Sequence, residues 1–307
     1  VYSTIPNMGG KTGMTGFLEF YANGGRLDAL KSPNRGNLVG YGTAPEGTEN
    51  NEVIYELICD AGWTADSIDL KKWLQNYTQC RYGKTNDNIT GYWDEITQSV
   101  YNNFTDHPRF VWQLRPGRST KGTYQIDSLF FTAIEKFALA APEMKDSPRY
   151  IDDLIELSAQ YAGGKMEVLI QNVLQAAMWD EVGKVDSIQA LFDKIAVATD
   201  RILAAHPIYN LQRWIDFARS HATTPDEATY YEKNAKRIVT IWGPPVNDYS
   251  ARIWSGLIRD FYKPRYDAYF NSLKSGKAFD YAAWEGNWVE TSKGLSPVTP
   301  PADIVQA

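Results

Sequence analysis

Basic blocks, long apolar runs and metal-ligand spacings are all missing from this sequence, and each absence removes a class of function. With no Lys/Arg-rich block and a formal net charge of -6, the chain carries no electrostatic footprint for nucleic acid or an anionic membrane surface. No stretch reaches the roughly 18 apolar residues of a spanning helix, so no membrane partner is expected. His, Cys and carboxylate residues do not fall at metal-ligand spacing, and neither a phosphate loop nor a dinucleotide fingerprint occurs, so no cofactor is expected. No fixed period recurs, which argues against a tetratricopeptide-type solenoid. Cysteine is scarce: Cys59 and Cys80 lie on neighbouring predicted helices and either pair or remain two buried thiols, so they do not fix the redox compartment. An initiator Met is also lacking, and "VYSTI" reads as a strand entered in mid-element, so sequence ahead of Val1 is expected.

Aromatic rings, by contrast, are abundant, with ten Trp and nineteen Tyr in 307 residues. Rings with one polar tip suit cores and interfaces, and they also suit stacking on the C–H faces of sugars. Apolar residues make up 43%, enough for a substantial core in one or two domains.

The chain changes character near residue 50. Before it, "VYSTI" and "NLVGY" read as strands, each followed by a glycine-rich turn, with "FLEFYANG" and "RLDAL" as short helical segments between them. Strand, helix, strand in that order implies parallel strands joined by crossovers, a piece of a parallel sheet or barrel. From residue 50 the apolar period becomes helical: Val53, Ile54, Leu57, Ile58 and Ala61 share a face, and Gly62 marks a stop. "DLKKWLQNYTQCRYG" repeats the plan, with Asp69 as cap and Gly83 as end. An irregular connection over about 102–122 contains His107, Arg115 and Pro116, and helices then run almost unbroken to about 293. One of them extends to about residue 182 through Gly163 and Gly164, where a bend or a close helix contact is expected. "DYSARIWSGLIRDFYK" reads as a further helix, and the Pro-rich tail as extended chain. The fold class is therefore mainly α: residues 1–50 form the final βα units of a barrel and 51–307 an all-α domain.

Several residues stand out on chemical grounds. Glu46 sits in "GTAPEG", on a turn bounded by glycines and stiffened by Pro45; it either caps the helix that follows or is a carboxylate held for chemistry. Trp242, ahead of Gly243 and Pro244, is either a hydrophobic contact at a helix end or a ring for a ligand. Tyr249 beside Asp248 reads as a helix start or as a second ligand ring. Arg265 reads as an interdomain ion-pair or packing residue.

Taken together, "PNMGGKTGMTG", "VGYGTAPEG", "NNEVIYELICDAGW", "WLQNYTQCRYG" and "TIWGPPVNDYSARIWSGLIRDFYKPRYDAYF", in this order, resemble the α-N-acetylglucosaminidases of glycoside hydrolase family 89. The resemblance implies the last part of a (β/α) TIM-type barrel joined to a C-terminal all-helical domain, with the earlier barrel segment as a missing partner. It implies that Glu46 is the catalytic nucleophile of a retaining glycosidase acting on glycans with terminal α-linked N-acetylglucosamine. The second carboxyl of such a pair lies about 5 to 5.5 Å from the nucleophile. In the family it belongs to an Asn-Glu pair after a barrel strand, and this chain has no such pair: Asn51-Glu52 opens a helix and Glu285 precedes Gly286. The resemblance further places Asn7 and Gly9 in a pocket-lining Asn-x-Gly-Gly loop, although Pro6, Met8 and Lys11 depart from the family's pattern around it. It places Trp242 and Tyr249 against the substrate, and His107 in a loop near the site. Secretion or a periplasmic location, lysosomal in a eukaryote, is the compartment it suggests. Two other functions fit the composition: a non-catalytic helical glycan-binding protein, which needs no shaped carboxylate turn, and a scaffold domain presenting a broad apolar patch.

Overall fold

The computed structural model describes residues 1–10, 13–105, 109–117, 126–179, 181–243, 246–291, 295 and 297–307. It is 60% helix and 4% strand. The chain divides into two compact units, Val1–Pro108 with Gly122–Leu157, and Arg109–Lys121 with Ser158–Ala307.

The first unit opens with β1 (Tyr2–Thr4), β2 (Gly16–Phe17), α1 (Leu18–Ala22), α2 (Gly25–Lys31) and β3 (Tyr41–Thr43). β1 and β3 pair in parallel, Tyr2 opposite Tyr41 and Thr4 opposite Thr43, as the strand–helix–strand order requires. The second strand lies further along than "NLVGY" suggested: stacking of the Tyr2 and Tyr41 rings, 5.5 Å apart, sets the register, and Val39 is left exposed. β2 pairs antiparallel with β4 (Asn102–Asn103). Helices α3 (Glu52–Ala61), α4 (Leu70–Tyr82), α5 (Asp87–Ile96), α6 (Ser128–Leu139) and α7 (Ala141–Met144) complete this part, together with the first residues of α8 (Pro148–Met178). Asp69 caps α4 by accepting the Lys72 N–H, and Gly83 closes it at φ +79°. Aromatic rings fill part of this core: Phe137 stacks on Tyr150 at 4.7 Å and meets Tyr92 edge-on at 5.1 Å. Cys59 and Cys80 are free and exposed, not buried as expected.

The second unit holds the remainder of α8, then α9 (Val182–Leu203), α10 (Leu211–Arg219), α11 (Pro225–Ile238), α12 (Lys263–Ser275) and α13 (Tyr281–Glu290). Helix α8 runs through its glycine pair without ending, and the reason is contact: a Cβ on Gly163 would lie 2.5 Å from the Phe110 ring. The segment from Asp248 to Ser255 is not helical, although "DYSARIWSGLIRDFYK" reads as a helix. Three interactions outcompete the helix there. Asp248 sits at φ +59°, Ser255 forms a bridge with Asn210, and Gly256 turns at φ +90°. The buried Asp200 carboxylate, reaching from α9, then accepts the Gly256 and Arg259 N–H groups and so starts the following helix from outside it.

Candidate active site

In the first unit, the turn after β3 and the loop after β1 are fastened to each other. The Ala44 N–H donates to Thr4 O at 3.0 Å, continuing the strand ladder, and the Glu46 N–H donates to Asn7 O at 3.2 Å. In return the Gly9 N–H donates to Glu46 Oε2. Three residues singled out from the sequence, Asn7, Gly9 and Glu46, are thus brought together. The glycines explain how: Gly9 and Gly10 turn at φ +73° and +60°, and a Cβ on Gly47 would lie 2.6 Å from the Gly10 Cα. Asn7 is buried, whereas Glu46 is exposed in this chain and carries its carboxylate at the surface of the turn.

Behind the turn stands a residue the sequence did not point to. Tyr55 of α3 donates its hydroxyl to Gly47 O at 2.8 Å, and the Asn7 side chain hydrogen-bonds the same hydroxyl. Burial pushes the Tyr55 phenol well above its ordinary range, so it acts as a donor and not as a base. Its spacing in α3 marks only a half-buried helical position, and the partner carbonyl lies in a different element.

In the second unit, Trp242 and Tyr249 come together as an aromatic pair, ring centroids 5.3 Å apart and planes at 61°. Trp242 is 40% exposed, with φ +47°, a conformation that bulky side chains rarely adopt. Arg265 is fully buried, and its guanidinium meets Asp248 Oδ1 and Glu285 Oε1, both at 3.0 Å, and donates to Gln113 O. All of these partners lie in the second unit, so Arg265 is an ion-pair residue within one unit and not between domains. Glu285 is also paired with Arg115, which assigns this carboxylate to structure. His107 lies outside the described residues. Among the described residues no group of His, Cys, Asp and Glu could hold a metal ion, and no helix is long and apolar enough to cross a membrane.

Comparison with known proteins gives these features a common setting. The pattern of the α-N-acetylglucosaminidase (NAGLU) C-terminal domain matches residues 73–304, and that of the NAGLU TIM-barrel domain matches residues 1–65. Human α-N-acetylglucosaminidase is 29% identical over 324 residues, covering 99% of this chain and 43% of the human protein. A family 89 glycoside hydrolase from Clostridium perfringens, in complex with 2-acetamido-1,2-dideoxynojirimycin, superimposes with a TM-score of 0.89 at 26% identity. The match covers 99% of this chain and 38% of that one. The same hydrolase with two glutamates changed to glutamine, in complex with its substrate GlcNAc-α-1,4-galactose, gives the same TM-score, identity and coverage. The chain therefore spans about two fifths of the length of these relatives. With family patterns matching both its strand-bearing start and its helical remainder, the chain belongs to the α-N-acetylglucosaminidase family, glycoside hydrolase family 89.

Proposed function

We propose that the protein containing these residues is a retaining glycosidase that removes terminal α-linked N-acetylglucosamine from glycans, with Glu46 as its nucleophile. The observation that carries this reading is the reciprocal fastening of the Glu46 turn and the Asn7–Gly10 loop, which fixes a carboxylate at the end of a strand of the parallel pair. A retaining mechanism needs that fixity. The carboxylate attacks the anomeric carbon as the bond to the leaving oxygen breaks, a second carboxyl protonates that oxygen, and water then cleaves the glycosyl ester. Trp242 and Tyr249 offer ring faces to the sugar. The family resemblance puts the acid/base in an Asn-Glu pair after an earlier barrel strand, and since Asn51-Glu52 opens α3 and Glu285 is locked to two arginines, we assign that group to a part of the barrel other than these residues.

The test uses azide as a small external nucleophile on the whole protein. Glu46→Ala is expected to lower kcat on a chromogenic α-N-acetylglucosaminide by on the order of 10³-fold or more. Added azide then restores turnover and yields the β-glycosyl azide, of inverted configuration. The 307-residue chain alone leaves the same substrate intact. Loss of less than about tenfold in kcat, or an azide product of retained configuration, assigns Glu46 another role.

A further inference from the structure

The Trp242–Tyr249 pair stands on a segment whose backbone is unfavourable in isolation. Two of its residues, Trp242 and Asp248, lie in the left-handed region at φ +47° and +59°, where only glycine is at ease and Asp is partly tolerated. Such a conformation persists only where surrounding contacts over-determine it. Here they converge on Asp248, which is 2% exposed and immediately precedes Tyr249. Its N–H donates to Thr240 O at 3.0 Å, closing the segment on itself, and its carbonyl accepts from Arg109 Nη1 at 2.7 Å. One carboxylate oxygen pairs with Arg265 Nη1 at 3.0 Å, and the other accepts the Arg115 N–H at 3.2 Å. Arg265 is itself immobilised between Asp248 and Glu285, with its guanidinium 4.8 Å from the centroid of the Phe261 ring. A surface segment needs no buried carboxylate to stay folded, and a buried ion pair adds conformational specificity more readily than stability.

We propose that Asp248, clamped by Arg265, is the positioning residue that holds the Trp242 and Tyr249 rings in the one arrangement that stacks on the substrate sugar. The inference rests on the reading that this pair contacts the sugar. The clamp fixes the direction in which Tyr249 leaves the backbone, and through the Thr240–Asp248 closure it fixes the point from which Trp242 departs.

A double-substitution cycle in the whole protein separates the two claims. Trp242→Ala, Asp248→Asn and the double variant are compared for KM and kcat on a chromogenic α-N-acetylglucosaminide and for the inhibition constant of 2-acetamido-1,2-dideoxynojirimycin. Melting temperature serves as the folding control. Asn tolerates the left-handed backbone as Asp does, so Asp248→Asn removes the charge and leaves the conformational preference. Each single change is expected to raise KM and the inhibition constant by on the order of tenfold with kcat little altered, and the double variant to be no worse than Trp242→Ala alone. If Trp242→Ala leaves both constants unchanged, the pair does not touch the sugar, and the underlying reading falls together with the inference. If Trp242→Ala weakens binding but Asp248→Asn lowers only the melting temperature, or if the two losses multiply, the positioning role is overturned and the reading stands. Should Asp248→Asn yield no soluble protein, Arg265→Lys, which keeps one cation facing both carboxylates, is measured in the same cycle and judged by the same outcomes.

Discussion

A carboxylate is only as well placed as the groups that hold its backbone, and at Glu46 these include the Asn7 carbonyl, which accepts its N–H. Tyr55 reaches the same turn from α3: its hydroxyl grips Gly47 O, one residue past the carboxylate. Tyr55→Phe keeps the ring and removes both hydrogen bonds of the hydroxyl, to Gly47 O and with the Asn7 side chain. Because each neutral hydrogen bond contributes about 0.5–1.5 kcal/mol net, the fold should lose about 1–3 kcal/mol, readable as a lower urea midpoint at unchanged slope. The larger effect should be kinetic, since a turn that wanders by 1 Å loses rate steeply. In the whole protein, with Glu46 acting as proposed, we expect kcat to fall by on the order of tenfold while KM stays within about twofold, because the Tyr55 hydroxyl is engaged by Gly47 and Asn7. An unchanged kcat alongside the stability loss would reduce Tyr55 to an ordinary structural residue.

Among the elements, glycine in a helix has two opposite meanings, and α8 and α13 show both. At Gly163 a Cβ would press into Phe110, a fully buried ring stacked on Trp112, whose indole N–H donates to the Gly163 carbonyl at 2.9 Å. At Gly286, inside α13, nothing lies within 4 Å of the same added atom. Gly286→Ala should therefore stabilise by up to about 1 kcal/mol through helix propensity, whereas at Gly163 overpacking of about 1–3 kcal/mol overrides the same gain. Thermal melts of the two variants should move in opposite directions, and a rise for both would mean that Phe110 yields without penalty. The same contrast explains how far the sequence could be read. Local devices were legible: the Asp69 cap and the Gly83 stop follow from neighbours within a few residues and the parallel pairing from the strand–helix–strand order, whereas Asn7 and Gly9 stand out only through the family resemblance. Devices whose partner lies far along the chain were not legible. The stretch "DYSARIWSGLIRDFYK" reads as helix throughout because the Asp200 carboxylate that starts the real helix belongs to α9, more than fifty residues earlier. Arg265 was legible as an ion-pair residue, but its partners, Asp248 and Glu285, became identifiable only with the chain folded.

For the whole molecule, the buried acids set how stability responds to pH. Glu167, only 5% exposed, has its carboxyl pushed up to about 7, above the ordinary value of 4.5; burial raises it, and hydrogen bonds from the Val111 N–H, at 2.6 Å, and from Gln171 pull it partly back. The folded chain consequently holds a proton on Glu167 that the unfolded chain has released, between about pH 4.5 and 7. Its contribution is fully present below the unfolded pKa and is lost as pH rises through the folded one, so in this window stability falls as pH rises. The separation corresponds to at most about 3 kcal/mol. Glu52 is pushed the same way, to about 7, by burial and by the Asp153 charge, against the pull of Arg81. Its side chain is 39% exposed, however, so solvent screening removes most of its weight. Other groups titrate in the same range, and the informative quantity is therefore the difference between the native sequence and Glu167→Gln, in which they cancel. Gln keeps an acceptor for the Val111 N–H and carries no proton to lose. Chemical denaturation at pH 4.5 and at pH 7.5 should show the native chain losing stability relative to Glu167→Gln as pH rises, by roughly 1–3 kcal/mol. A difference that stays flat across the window would show that Glu167 is ionised within the fold, with water reaching it past Val111.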